Sequence, residues 1–281
     1  GRAELGGNHT DHQHGRVLAA SVNMDAAAAA GRREGEVVFY SEGFEIKPVS
    51  LADLFVHPEE KNTSEALIRG VLAGFVQRGY KIGGFQAVSN STVLKGSGIS
   101  SSAAFEVLVG TILSHLYNDG QVSAQEIAKI GQYAENVYFG KPSGLMDQAA
   151  SAFGGITKID FAGGDRPDVT RIAFDFRAHG YILCAVNTQS RHDDLTPDYA
   201  AIPCDMTAVA RAFGKDVLRQ VNPAAFAAPK MRERLARDIS PVAADRAEHF
   251  FAEDARVERM AAALLVSGSA LVMLTTRARR K

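Results

Sequence analysis

A chain of 281 residues with 46% apolar content can bury one large core or two smaller ones, which excludes a mainly disordered protein. Its 31 basic and 32 acidic residues nearly cancel, so no overall basic field points to nucleic acid or an anionic membrane, and a small-molecule ligand is expected. Cys184 and Cys204 have no paired spacing, which argues against a disulfide framework or zinc-finger site; no apolar run reaches transmembrane length, the start lacks a signal-peptide apolar region, and a cytoplasmic location fits.

Along the chain, a polar glycine-bounded loop at the start leads into strands expected at Val17 to Ala30 and Glu36 to Ser41. Leu67, Val71, Leu72, Phe75 and Val76 recur at helical spacing within Ser64 to Arg78, and Gly79 stands where a helix C-cap glycine belongs. Phe85 to Thr92 alternates as a strand. A glycine-serine loop then enters a helix with Ala104, Leu108, Ile112 and Leu116 on one stripe. Ser123 and Glu126 form a capping box before a helix that ends ahead of Gly140, and Pro142 enforces the break. A short helix at 145–152, strands ITKIDF and YILCAVNT, and helices at 198–213, 229–237 and 241–264 complete the reading. Strands and helices mix without strict alternation, which predicts an α+β protein of two lobes, 1–153 and 154–281, meeting near Gly154 and Gly155.

Three stretches carry chemistry. In KGSGISSSAAFEV, Gly96 and Gly98 let the backbone approach a ligand, and the following helix offers unpaired N–H groups and its positive dipole end, which suits a polyphosphate. It is neither a Walker loop nor a Rossmann fingerprint. In GRAELGGNHTDHQHGRVL, the short polar side chains of Arg2, Asn8, His9, Asp11, His12 and His14 suit reading several sugar hydroxyls; a metal site or a solvated polar turn are the alternatives. In ENVYFGKPSGLMDQAASAFGG, Asp147 lies in the first turn of a short helix after Gly144, where it either accepts a substrate proton or compensates the helix dipole. Glu135, near the end of the preceding helix, is badly placed for the dipole and is therefore a candidate metal ligand.

Taken in order, with VNTQSRHDDLTPDYAAIP as a fourth stretch, these segments resemble the galactokinases of the GHMP small-molecule kinase family, from residue 1 to roughly residue 263. The resemblance implies a two-lobed GHMP kinase fold, with a ribosomal S5 domain 2-like first lobe, and transfer of the γ-phosphoryl of ATP to the anomeric C1 hydroxyl of galactose. It implies that Asp147 is the base and Arg2 a cation that stabilises transferring charge. Asn8, His9, Thr10, Asp11, Gly144 and Tyr199 would contact the sugar. Gly96, Ser97, Gly98, Ile99, Ser100, Ser101 and Ser102 would cradle ATP, and Ser102 and Glu135 would place Mg²⁺ on its phosphates.

Two features depart from the family pattern beside the harmless Ile99. Asn8 stands where many galactokinases carry Glu, which leaves room for N-acetylgalactosamine or another hexose as acceptor. The family's third, glycine-rich motif is not recognisable after Arg259, and the chain opens without Met, so missing segments at both ends and an incomplete second lobe are expected. An impaired fragment or a sugar- and nucleotide-binding sensor is the alternative from another class. The expected partners are the sugar and ATP, with the protein a monomer.

Overall fold

This computed structural model describes residues 1–8, 10–93, 98–164, 166–184 and 196–266. By their contacts the residues form two units, Gly1–Ala3 with Ser21–Gly154 and Glu4–Ala20 with Gly155–Lys281. Residues 4–20, placed by the sequence reading in the first lobe, thus group with the second half of the chain.

In the first unit, β3 (Ala26–Arg32), β4 (Glu36–Ser41), β5 (Val49–Ser50) and β6 (Phe85–Ser91) form a mixed sheet in the order β3-β6-β4-β5. β6 pairs antiparallel with β3 and parallel with β4, with Phe85 opposite both Arg32 and Val37. Phe85, Ala87 and Ser89 are buried while Gln86, Val88 and Asn90 are exposed, the period-two pattern of a sheet covered on one face. The covering core joins Val37, Phe39 and Phe85 to residues of α1 (Ser64–Gln77), α2 (Ser101–Tyr117) and α3 (Ala124–Tyr133). Thr63 caps α1 by accepting the Ala66 N–H, Gly79 takes a positive φ of 77° just beyond its end, and the Ser123 side chain accepts the Glu126 N–H at the start of α3.

α3 continues without a break into a π-helical turn, Ala134–Phe139, closed by Gly140 at φ 82°. Gly70 permits α1 to lie against it: a β-carbon there would stand 2.7 Å from the Ala134 Cα. Such turns cluster at functional positions, and this one carries Glu135. After α4 (Met146–Phe153) the chain leaves the unit.

The second sheet has the order β1-β2-β7-β8, built from β1 (Arg2–Gly6), β2 (Arg16–Ser21), β7 (Ile156–Asp160) and β8 (Asp168–Ile172), with β7 antiparallel to both β2 and β8. One apolar cluster joins Leu18, Ile156 and Ile172 to Val257 and Leu264 of α8 (Pro241–Val266). Another unites Met206 and Val209 of α5 (Thr196–Ala212), Phe226 of α6 (Pro223–Phe226), Leu235 of α7 (Met231–Asp238) and Phe250 of α8. Arg16 bonds Asp160 at 2.9 Å and Asp254 at 2.6 Å, and Arg219 bonds both carboxylates at 2.9 Å, a lattice of paired charges that ties β2 and β7 to α8.

The structure corrects several expectations. Val17 to Ala30 is two strands rather than one, interrupted at 22–25, and the opening loop begins with a strand, β1. The buried face of α2 is Ala103, Glu106, Val109, Gly110, Ile112, Leu113 and Ser114, so of the expected stripe only Ile112 is buried. The helix is apolar nearly all round, and packing rather than periodicity selects its inner face. Residues 181–184 of the expected strand YILCAVNT have no regular structure, and 185–188 lie outside the described residues.

Candidate active site

Arg2, the glycine-serine loop and the Asp147 segment meet inside the first unit. Arg2 bonds the Asp147 Oδ1 through Nε at 2.7 Å and the Gly98 carbonyl through Nη1 at 2.8 Å. The other carboxylate oxygen, Oδ2, accepts the Ser100 hydroxyl at 2.5 Å. Burial pushes the Asp147 carboxyl up, but the Arg2 charge and hydrogen bond and the Ser100 hydroxyl together outweigh it, holding the group below its ordinary value. Asp147 therefore stands ionised at neutral pH.

Ser100 adopts φ 62° and ψ 59°, a left-handed conformation uncommon for any residue but glycine. Its side chain makes no capping bond to α2, because the hydroxyl is turned to Asp147. The first turn of α2 thus receives no cap from the Ser100 side chain, and its N–H groups and dipole suit an anion. Gly98, at φ 75°, has no atom of the described residues within 4 Å of where a β-carbon would sit. Leu94 to Ser97, with Gly96 and Ser97 of the expected phosphate loop, lie outside the described residues.

Behind this loop lies a second carboxylate. Glu135 is fully buried, and its Oε1 accepts the Ser102 hydroxyl at 2.7 Å and the Lys141 ammonium at 3.1 Å. Its Oε2 accepts the Ser143 hydroxyl at 2.7 Å and the Gln148 amide at 2.8 Å. The same amide nitrogen bonds the Oε2 of Glu106, itself 1% exposed, at 2.9 Å. Burial first, then the Glu135 charge, raises the Glu106 carboxyl well above its ordinary value.

Sequence reasoning reaches Ser102 and Glu135 but misses Glu106, Lys141, Ser143 and Gln148. For Glu106 a signal exists: an acid within the apolar helix run SSAAFEVLVG has to be paired or neutral when buried. The roles of Ser143 and Gln148 follow only from the chain's return past α3.

The polar loop in the second unit is held from within. Thr10 is fully buried, with its hydroxyl against the carbonyls of Gly7, at 2.9 Å, and Arg16, at 2.6 Å, so its side chain braces the loop rather than facing solvent. Gln13, also buried, bonds Thr207 and accepts the Leu218 N–H, both at 3.0 Å. Asn8 is exposed; its carbonyl meets a His249 ring nitrogen at 2.9 Å and its amide donates to Glu4 at 3.3 Å. Asp11 opens a short 3₁₀ turn, Asp11–Gln13. His9 lies outside the described residues, and Tyr199 is described only as part of the α5 backbone.

Comparison with known proteins bears on this arrangement. The GHMP kinases N terminal domain matches residues 66–155, and the galactokinase galactose-binding signature matches residues 1–32. A galactokinase of Streptomyces coelicolor (strain ATCC BAA-471 / A3(2) / M145) is 33% identical over 271 residues, covering 95% of this chain and 68% of the relative. The chain belongs to the galactokinase family. Its fold is also similar to that of Lactococcus lactis galactokinase crystallised with galactose, at a TM-score of 0.74 and 23% identity over 94% of this chain and 68% of that one. More distantly it resembles Methanococcus jannaschii mevalonate kinase, at a TM-score of 0.54 and 14% identity over 96% of this chain and 79% of that one. For a galactokinase-family chain, the expected α+β GHMP kinase fold holds, and the three stretches read from the sequence as carrying chemistry fall within the matched family regions.

Proposed function

We propose that this chain transfers the γ-phosphoryl of ATP to the anomeric C1 hydroxyl of galactose, with Asp147 as the base. The observation that carries the reading is the Asp147 carboxylate fixed on both oxygens, by Arg2 and by Ser100 where the glycine-serine loop enters α2. Kinship with galactokinases supports galactose as acceptor and ATP as donor. Phosphoryl transfer asks little covalent chemistry of a protein and much positioning. Asp147 is a weak base because its pKa is depressed, so its work is to orient the sugar hydroxyl and take the proton as the new P–O bond forms. Arg2, beside it, places positive charge where the transferred group becomes most anionic.

Gly96 to Ser102, with the open N-terminus of α2, would cradle the ATP phosphates. Asn8, His9 and Asp11 would hold sugar hydroxyls, Gly144 and Tyr199 would meet the sugar, and Thr10 would brace the loop from beneath. Ser102 and Glu135 suit Mg²⁺: both are hard oxygen donors, 2.7 Å apart, and the Lys141 ammonium on the same carboxylate oxygen marks a position that favours positive charge. When bound there, the ion neutralises charge on the phosphate oxygens. The protein acts as a monomer in the cytoplasm.

Coupled ADP release with galactose, N-acetylgalactosamine, other hexoses and mevalonate tests this reading. Galactose-dependent turnover is expected, and Asp147→Asn should retain sugar binding while losing roughly 10²–10⁴-fold in turnover. Folded protein without sugar-dependent turnover would sink the reading, and equal turnover by the variant would remove Asp147 as base.

A further inference from the structure

We propose that Gln148 is a positioning residue, one amide that fixes the Glu135 carboxylate for Mg²⁺ and joins it to the helix turn bearing Asp147. This rests on the assignment of Glu135 as a metal ligand made above.

Gln148 follows Asp147 in the first turn of α4 and is itself fully buried. Its two amide hydrogens serve two carboxylates on different elements, Glu106 of α2 at 2.9 Å and Glu135 of the π-helical turn at 2.8 Å. Any rotation of Glu135 breaks the second bond, and any rotation of the amide breaks both. With Ser143, Gln148 secures Glu135 Oε2 from the interior, which leaves Oε1 on the side of Ser102. Gly131 of α3 lets the Gln148 stem and the Glu106 carboxylate lie close against the helix, since a β-carbon there would come within 3.0 Å of both Gln148 Cγ and Glu106 Oε2. Because Gln148 and Asp147 are consecutive, the bond that orients the metal ligand also registers the base, so the two halves of the site move as one. Partners that orient a metal ligand in this way are typically worth about 10–100-fold in metal affinity.

The test compares Gln148→Leu, the double variant Gln148→Leu/Glu106→Leu, Gln148→Asn and Glu135→Gln. Binding of ADP with and without Mg²⁺, and of galactose, is followed by calorimetry beside thermal unfolding. The double variant removes both members of the Gln148–Glu106 bond and leaves Glu135 Oε2 with its Ser143 donor, so it should recover part of the stability lost by Gln148→Leu. Its affinity for Mg·ADP should nonetheless stay about 10–100-fold weak, with metal-free ADP and galactose binding unchanged. Gln148→Asn, which withdraws the amide by one carbon, should weaken Mg·ADP in the same direction. The proposal is overturned if the folded double variant binds Mg·ADP like the parent while Glu135→Gln does not. If Glu135→Gln also binds like the parent, the metal assignment fails and the proposal falls with it. If neither Gln148→Asn nor the double variant folds, Gln148 belongs to the core alone and the proposal is equally overturned.

Discussion

Replacing Arg2 by Gln separates two roles proposed for one side chain, holding Asp147 ionised and placing positive charge at the transferred phosphoryl. The Arg2 and Asp147 side chains are 16% and 19% exposed and their closest atoms are 2.7 Å apart, so the pair is poorly screened. Burial alone would raise the Asp147 pKa; the arginine and Ser100 reverse that. A neighbouring arginine lowers an aspartate by about 1–3 pKa units, each unit being roughly 1.4 kcal/mol. Without it, burial dominates, and the acid limb of the kcat/KM profile should move up in pH. The height of the profile should fall as well, by about 10²–10³, because the transferring phosphoryl loses its cation. Stability follows the same sign: the folded pKa is depressed, so the pair stabilises the protein above the ordinary aspartate pKa of about 3.9 and loses that effect as pH falls through the folded value. The assay is ADP release with galactose from mildly acidic to neutral pH, for parent and variant. An acid limb that stays in place while the height falls would refute the coupling and leave Arg2 acting on phosphate alone.

Other substitutions test separate parts of the structure. Ser100→Ala keeps the backbone of the phosphate cradle but removes the hydroxyl that Asp147 accepts at 2.5 Å, and should lower kcat about 10–100-fold with little change in KM for ATP; a raised KM for ATP at constant kcat would show that the hydroxyl serves ATP rather than Asp147. Gly70→Ala drives a methyl group to 2.7 Å from the Ala134 Cα, and should cost about 1–3 kcal/mol in urea unfolding while weakening Mg·ADP binding through the Glu135 turn. Unchanged stability would mean that α1 shifts freely. Arg69→Met takes from the half-buried Glu60 the two nitrogens that grip it at 2.9 and 2.7 Å, and should destabilise by about 1–3 kcal/mol. A loss within ~0.5 kcal/mol, the range of ordinary surface changes, would contradict that account.

By itself the sequence determined what is local. The alternation Phe85, Ala87, Ser89 marked β6, Gly79 and Ser123 marked helix ends, and the order of four polar segments carried the family, because turns, caps and ligand loops are written in neighbouring residues. Asp147, Arg2, Ser102 and Glu135 were legible as candidates for the same reason. Tertiary structure decided what those candidates touch. No spacing announces that Ser100 turns from its own helix to Asp147, that Thr10 faces inward, or that Gln148 bridges acids 42 and 13 residues away. Those outcomes depend on which buried polar groups remain to be satisfied once the helices have closed, and that account is settled only when distant segments meet.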